Sequence, residues 1–538
     1  MNSTAANVKP EPGLYGPDAA ASPAIARYLI QGPSPLSIGL VVLIGAISSF
    51  LLQQFLKPAV NPLSPKFTSN TWPWLGSLGM MIGHWTFWKS CIKESKTGQF
   101  SFWLGRTHVV GLSGPDARKM FFEHPALDLH KATDLTPLGV NFWPIHAIFT
   151  PRDEKFQKST YWLRTLTHLM KTPNMERCLP GVIQDARTGL EALKRDTPSG
   201  IINTPKVWPV VFKQTARVFM ADDVTDDPKL WATTLGAIDT ILHTFSPFNT
   251  LLPWIPEPSM IRRRMARRAL LRVSRGIVRD RHASPKSASK NDAVQSLINL
   301  GDPDDNISEF MINAAFVGVV NAHVIFPQLL NALAVHLDWQ DKVYKEVTEV
   351  ADQHCKEQCL PLVDKLFHIP LSAWENSFPN AALMMEEISR IWTCFPTARF
   401  NTLYESIPIP GTSEVIPART HAIYNSTEIH FNPKLYDRPA SFRPDRFAPE
   451  SQKTWDKEPH GLNTWGTGQR LCSGMRWAKL QQNILMAVAL SLYRLEKCDK
   501  DGKPDPSAYE KQQAMDGDLD EEVAFVLPEC FVKLIPRE

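Results

Sequence analysis

Between residues 36 and 56 the chain reads LSIGLVVLIGAISSFLLQQFL, without one charged side chain. At about 1.5 Å of rise per residue this run spans about 30 Å as a helix, the thickness of a bilayer hydrocarbon core. It predicts a membrane anchor at 36–56 behind a polar leader at 1–35. A secretory signal is the alternative, but the leader is long and no small-x-small cleavage site follows. Lys57, Lys66, Lys89 and Lys93 lie beyond the run and only Lys9 and Arg27 before it, which directs the main body to the cytoplasmic side. Pro58, Pro62 and Pro65 cannot continue a helix, so 57–70 reads as a stiff linker. Pro73, Gly76 and Gly79 then punctuate a turn, and the globular body is expected over 71–538.

From there to about residue 400 apolar positions recur at helical spacing, as at Ala314, Val317 and Val320 beside Asn313 and Phe316. The alternating stretch FSFWLGRTHVVGLS near 100–113 interrupts this with extended structure. One long apolar helix is expected to start at Asn306, capped by that side chain with Glu309 reaching back, and to kink at Pro327. Prolines and turn residues become dense over 400–470, which suits short hairpins. In IRRRMARRALLRVSRGIVRDR at 261–281 the expectation is a solvated helix with Ile261, Met265 and Val273 turned inward, or a contact with anionic lipid. The class is therefore mainly α with a small β-rich part.

Composition narrows the partners. Lys plus Arg number 58 and Asp plus Glu 55, a balance too even to signal a nucleic-acid partner. Eight cysteines in 538 residues are too sparse for a disulfide framework and fit a reducing compartment. Cys355 and Cys359 have helical spacing but no companions at zinc-site intervals, so they read as ordinary helix positions.

The concentrated chemistry lies near the C-terminus, in Trp465-Gly466-Thr467-Gly468-Gln469-Arg470-Leu471-Cys472-Ser473-Gly474, ahead of a helical segment. A cysteine in a Gly-punctuated loop at a helix N-terminus meets backbone N–H donors and the positive helix end, both of which favour a thiolate. The glycines let backbone approach a flat ligand, and Arg470 can pair with a carboxylate on it. Glu387 and Arg390 stand three apart in MMEEISR, and Phe442-Arg443-Pro444-Asp445-Arg446-Phe447 lies between them and the cysteine.

In this order these segments resemble the cytochrome P450 family, in particular its membrane-bound eukaryotic members and the fungal enzymes of specialised metabolism. The resemblance covers roughly 70–538 and implies the P450 fold with a small β-rich lobe. It implies haem b with Cys472 as axial iron ligand, Arg470 and Arg399 at the propionates, and Trp465, Gly468 and Gly474 shaping the haem loop. Trp465 stands where the family usually has Phe. Glu387, Arg390 and Arg446 would form a buried ion network that locks the core. Trp162 and Arg164 fall near where relatives carry a Trp/Arg helix, at an altered spacing. NADPH would serve indirectly through an NADPH-cytochrome P450 reductase, in the endoplasmic reticulum membrane with the catalytic domain cytoplasmic.

One motif departs from the family. Where relatives read Ala-Gly-x-Asp/Glu-Thr, this chain has Val317-Gly318-Val319-Val320-Asn321. Gly318 would leave room beside the iron and Asn321 would hydrogen-bond oxygen or substrate, but Val320 replaces the proton-relaying acid. His323 is a further titratable candidate. The expected function is monooxygenation of a hydrophobic small molecule, a terpenoid, polyketide or alkaloid intermediate. The alternatives are a haem-thiolate isomerase or dehydratase that needs neither O2 nor NADPH, and a non-catalytic haem-binding scaffold. Phe142, Trp143, Phe245, Phe248 and Phe316 are candidate pocket aromatics.

Overall fold

The uncharged run forms helix α1, Pro35–Phe55. Its Leu36–Gln54 window has mean hydropathy 2.2 and is 0% buried within the protein, as a segment built for lipid must be. The computed structural model describes residues 35–129, 131–132, 160–244, 246, 251–252, 255, 257–284, 290–394, 396–468, 470–505 and 529–537. Of the candidate pocket aromatics, Phe142, Trp143, Phe245 and Phe248 lie outside the described residues. The chain divides into two units, Met1–Pro58 and Ala59–Glu538. The stretch expected as a linker is already fastened to the larger unit. Asn61 bonds Ser406, Thr68 N–H donates to Ser101, and Ser69 bonds Glu94.

The longer helices of the second unit are α2 His84–Glu94, α3 Pro115–Glu123, α4 Tyr161–Leu169, α5 Thr172–Asp196, α6 Trp208–Phe219, α7 Pro228–His243, α8 Pro258–Ala283, α9 Asp304–Val320, α10 Ala322–Val335, α11 Leu337–His354, α12 Pro379–Trp392 and α13 Met475–Leu492. The strands are β1 Phe100–Leu104, β2 Thr107–Leu112, β3 Leu127–Asp128, β4 Ile201–Asn203, β5 Pro396–Asn401, β6 Ile407–Pro408, β7 Val415–Ile416, β8 His421–Asn425, β9 Tyr493–Cys498 and β10 Phe531–Pro536. They form a five-stranded sheet in the order β1-β2-β8-β5-β3, a three-stranded sheet β4-β10-β9, and the pair β6-β7. Phe100 pairs with Gly111 in the antiparallel β1–β2 ladder, the extended stretch expected near 100–113. One large apolar cluster runs through α4, α5, α6, α9, α10, α12 and α13, and a second lies between the five-stranded sheet and α3.

The central apolar segment differs from expectation at three points. It starts at Asp304 behind Pro303, whose side chain has no acceptor to cap it, and Glu309 pairs instead with Arg267, 2.6 Å distant on α8. It breaks at Asn321, ahead of Pro327, into α9 and α10. The Asp304–Val335 stretch is also long and apolar enough to cross a membrane, but 78% of it is buried, so it is a core element.

The arginine-rich helix α8 is also turned differently. Ile261 and Met265 are 49% and 62% exposed, whereas Arg263 and Arg281 are buried. Val273 does pack against the main apolar cluster, but the buried face is Ser259, Met260, Arg263, Ala266, Leu270, Ser274, Ile277, Val278 and Arg281, whose small members let α8 pack closely on α7 and α9. Arg281 is compensated by Asp292 at 2.5 Å and by Asp223. Cys355 and Cys359 also leave the helix, the first as the C-cap of α11 and the second in the turn after it.

Candidate active site

The Cys472 loop is built by close backbone approach. Gly466 and Gly468 adopt φ of 68° and 62°, and a Cβ on them would lie 2.4 Å from the Arg470 carbonyl oxygen and 2.6 Å from that of Phe122. Any other L residue at either position would clash with backbone that cannot yield. The Cys472 N–H donates to the Trp465 carbonyl at 2.6 Å, and α13 starts three residues later. The Cys472 side chain is accessible. Surrounding protein nevertheless raises its thiol above the ordinary value, against the lowering effect of a Gly474 N–H bond. A Cβ on Gly474 would meet no atom within 4 Å, so no packing demand accounts for that glycine.

Two arginines flank this loop. Arg470 pairs with Asp128 at 3.2 Å, an acceptor that no sequence motif announced. Arg399, on β5, is 3% exposed and donates to the Leu127 carbonyl at 3.3 Å, while its buried Nε has no partner. Its guanidinium lies 5.2 Å and 5.6 Å from the ring centres of Phe121 and Phe122. Burial, then the charge of Arg470, pushes it down to about 10, with Asp128 only partly opposing. Arg470 thus has the nearby carboxylate and Arg399 has none of its own, an arrangement that a further anion would relieve.

Trp162 and Arg164 take no part in this. Trp162 packs on Phe310 at 5.2 Å between ring centres, and Arg164 pairs with Asp302 at 2.5 Å. The altered spacing places this arginine on the outer side of α4.

The ion network expected from the sequence comes together in the core. Glu387 accepts from Arg390 Nε at 2.8 Å and from Arg446 Nε at 3.1 Å, and its Oε1 also takes the Arg443 N–H at 2.9 Å. Glu387 and Arg390 are 0% exposed and Arg446 7%. Arg390 further donates to the carbonyls of His430 and Pro439, both at 2.6 Å. Every polar arm therefore has a partner, which a buried charge requires.

The central helix supplies a wall. From Phe310 to Phe326 every residue is buried except Val317, Gly318, Asn321 and Val324, and Val317, Asn321 and Val324 follow the i, i+4, i+7 spacing of one helix face. Four residues that the sequence singled out fall off this stripe. A Cβ on Gly318 would lie 2.6 Å from Thr215 Cγ2, so the room this glycine provides admits α6. Val320 is packed in the main apolar cluster. His323 is buried, with Nδ1 3.2 Å from the Val319 carbonyl at the end of α9. Phe316, at 7% exposure, belongs to the same core.

The Cytochrome P450 family model matches residues 65–515. Among curated proteins, the chain is 42% identical to "Cytochrome P450 monooxygenase nsrP" of Aspergillus novofumigatus, over 89% of this chain and 92% of that one. It is 40% identical to "Cytochrome P450 monooxygenase AacuE" of Aspergillus aculeatus, over 87% and 93%. Among solved structures, "Retinoic acid bound cyanobacterial CYP120A1" superposes with a TM-score of 0.58 at 19% identity, covering 82% of this chain and 94% of that one, a likeness of fold.

Proposed function

The chain belongs to the cytochrome P450 family, whose haem carries a cysteine thiolate, and from that premise we propose that it inserts oxygen from O2 into a hydrophobic small molecule of specialised metabolism. Electrons would come from an NADPH-cytochrome P450 reductase in the endoplasmic reticulum membrane that α1 enters, with the catalytic unit on the cytoplasmic side. The observation that carries this reading is the exposed Cys472, set in a glycine-shaped loop flanked by Arg470, paired to Asp128, and by the buried Arg399, which has no carboxylate bonded to it. Those residues fit a haem: one sulphur for the iron, and two guanidiniums for a dianionic edge.

When bound, haem supplies dioxygen activation, with the thiolate promoting O–O cleavage. Cys472 would hold the iron, Arg470 and Arg399 the propionates, and Gly468, Gly474 and Trp465 the shape of the loop around it. The stripe Val317, Asn321 and Val324 would form the opposite wall and exclude water except where the Asn321 amide can hold one. No titratable side chain lies on that stripe, so proton delivery would rest on Asn321 with an ordered water or a substrate hydroxyl. The same stripe is what keeps an isomerase or dehydratase reading in view, and turnover that needs neither reductase nor NADPH would select it. A fall in product on omitting either one supports the monooxygenase.

Three substitutions in the full chain separate these roles. Asn321→Ala is expected to lower the ratio of product formed to NADPH consumed; an unchanged ratio takes Asn321 out of proton delivery. Val320→Asp would place a carboxylate in the apolar core without a partner, so loss of folded protein is expected instead of altered coupling. Arg399→Gln is expected to weaken haem retention about tenfold, since a charge-assisted bond to a propionate is lost. The haem-to-protein ratio after dialysis against apomyoglobin measures it, and equal retention would assign Arg399 to packing alone.

A further inference from the structure

Two consecutive glutamates on α12 face different tasks. Glu387 is sunk in the arginine network. Glu386 instead reaches the segment that leads into the cysteine loop, where its carboxylate accepts from Trp465 Nε1 at 2.9 Å and 3.0 Å to its two oxygens. Thr464 Oγ1 donates to it at 3.3 Å, and Lys479 Nζ, from the first turns of α13, at 2.9 Å. Lys479 also lies 5.3 Å from the centre of the Trp465 ring. One carboxylate therefore gathers α12, the start of the loop and the helix that follows the cysteine.

The chemical link to Cys472 runs through the backbone of Trp465. Its carbonyl accepts the Cys472 N–H at 2.6 Å, so a tryptophan held by its indole fixes the acceptor that orients the cysteine. The middle of the loop has separate tethers, Thr467 to His460 at 2.6 Å and Arg470 to Asp128 at 3.2 Å. The flank that contacts Cys472 directly is held by Glu386. A phenylalanine at 465 would lack the indole N–H, and a carboxylate at 386 would lose that partner.

We propose that Glu386 is a positioning residue for the thiolate: by clamping the Trp465 indole it keeps the Trp465 carbonyl on the Cys472 N–H and so fixes where the sulphur stands. This inference rests on the haem-thiolate reading above. An exposed ion pair to Lys479 alone would contribute little. The side chain of Glu386 is only 19% exposed, and the charge-assisted bond to the indole is the stronger tether.

The test uses full-length, haem-loaded protein and follows the carbon-monoxide adduct of the reduced haem as it converts from its thiolate band to its neutral-thiol band in dilute urea. Glu386→Ala and Trp465→Phe are each expected to speed this conversion about tenfold, the loss of one charge-assisted bond. The double variant should convert no faster than the quicker single, because both remove the same clamp. Glu386→Gln keeps an oxygen for the indole N–H while discarding the charge, and should convert at a rate between those of the wild type and Glu386→Ala. Glu375→Ala removes a comparable ion pair to α13, that of Arg476 at 2.6 Å, without touching the loop, and should also leave the rate unchanged.

Additive effects in the double variant, a Glu386→Gln rate equal to that of Glu386→Ala, or a Glu375→Ala rate equal to either would each overturn the clamp. If Glu386→Ala does not load haem, Trp465→Phe decides alone, since it keeps the ring and the charge balance. A wild-type protein without the thiolate band defeats the haem-thiolate reading itself. A wild-type band with unaltered rates in Glu386→Ala and Trp465→Phe defeats only this inference.

Discussion

Replacing Cys472 with serine is expected to abolish the red-shifted band of the reduced carbon-monoxide adduct and all oxygen-dependent turnover, while the chain still folds. The sulphur is accessible at the loop tip and is not a member of the apolar clusters, so the shorter oxygen leaves no packing defect. The loop is held by bonds that do not use the side chain: the Cys472 N–H on Trp465, the Arg470–Asp128 pair and the Thr467–His460 bond. A neutral hydroxyl is a poor substitute for a thiolate as an iron ligand, and the electron donation that favours O–O cleavage goes with the sulphur. Spectra of the reduced protein under carbon monoxide, with circular dichroism as the folding control, measure both halves. A persisting thiolate band would mean that another cysteine holds the iron.

The second large effect is one of stability. Glu387→Ala is expected to cost about 3–5 kcal/mol, because it leaves two buried guanidiniums without their shared carboxylate. Arg390 would keep its bonds to the His430 and Pro439 carbonyls, but carbonyls cannot neutralise it. Its charge would remain beside Arg446 in a site with no water to screen it. Glu387→Gln preserves shape and removes the charge, so it should be damaging too, which separates the ionic effect from the cavity. The melting temperature and the yield of haem-loaded protein report this. A Glu387→Ala protein as stable as wild type would mean that the triad is structurally idle.

The distribution of these residues along the chain explains what could be read from sequence. The anchor was legible because lipid imposes one simple demand, an uncharged run of sufficient length. The Cys472 loop was legible because its glycines and cysteine are adjacent, and the Glu387–Arg390 pair because helix geometry brings positions three apart together. Residues that act by tertiary approach were not. Asp128 on β3 meets Arg470 across more than three hundred positions, and no local pattern marks it. Glu386 looks identical to Glu387 in sequence, and only the turn of α12 assigns them different partners.

The central helix shows the opposite failure, a local motif read too literally. Val317, Gly318, Val320 and Asn321 align with a family pattern, yet the break at Asn321 and the tight approach of α6 determine which of them are open. Val317 and Asn321 are exposed, Gly318 lies against Thr215, and Val320 is buried. Helix α8 was misjudged for a related reason. With arginines on every side, the exposed Ile261 and Met265 cannot be told by pattern alone from the buried Met260, Leu270 and Ile277.

The central claim is oxygen insertion by a Cys472-ligated haem, and the most direct measurement is the mass of the product made under isotopically heavy dioxygen. A host lacking the gene accumulates the substrate; complementation with the full chain under heavy O2 restores the product. The account predicts that the restored product carries heavy oxygen absent from the accumulated compound, and that the Cys472→Ser chain restores nothing. A restored product that is isobaric with its precursor, or that differs only by water and carries no label, would contradict it.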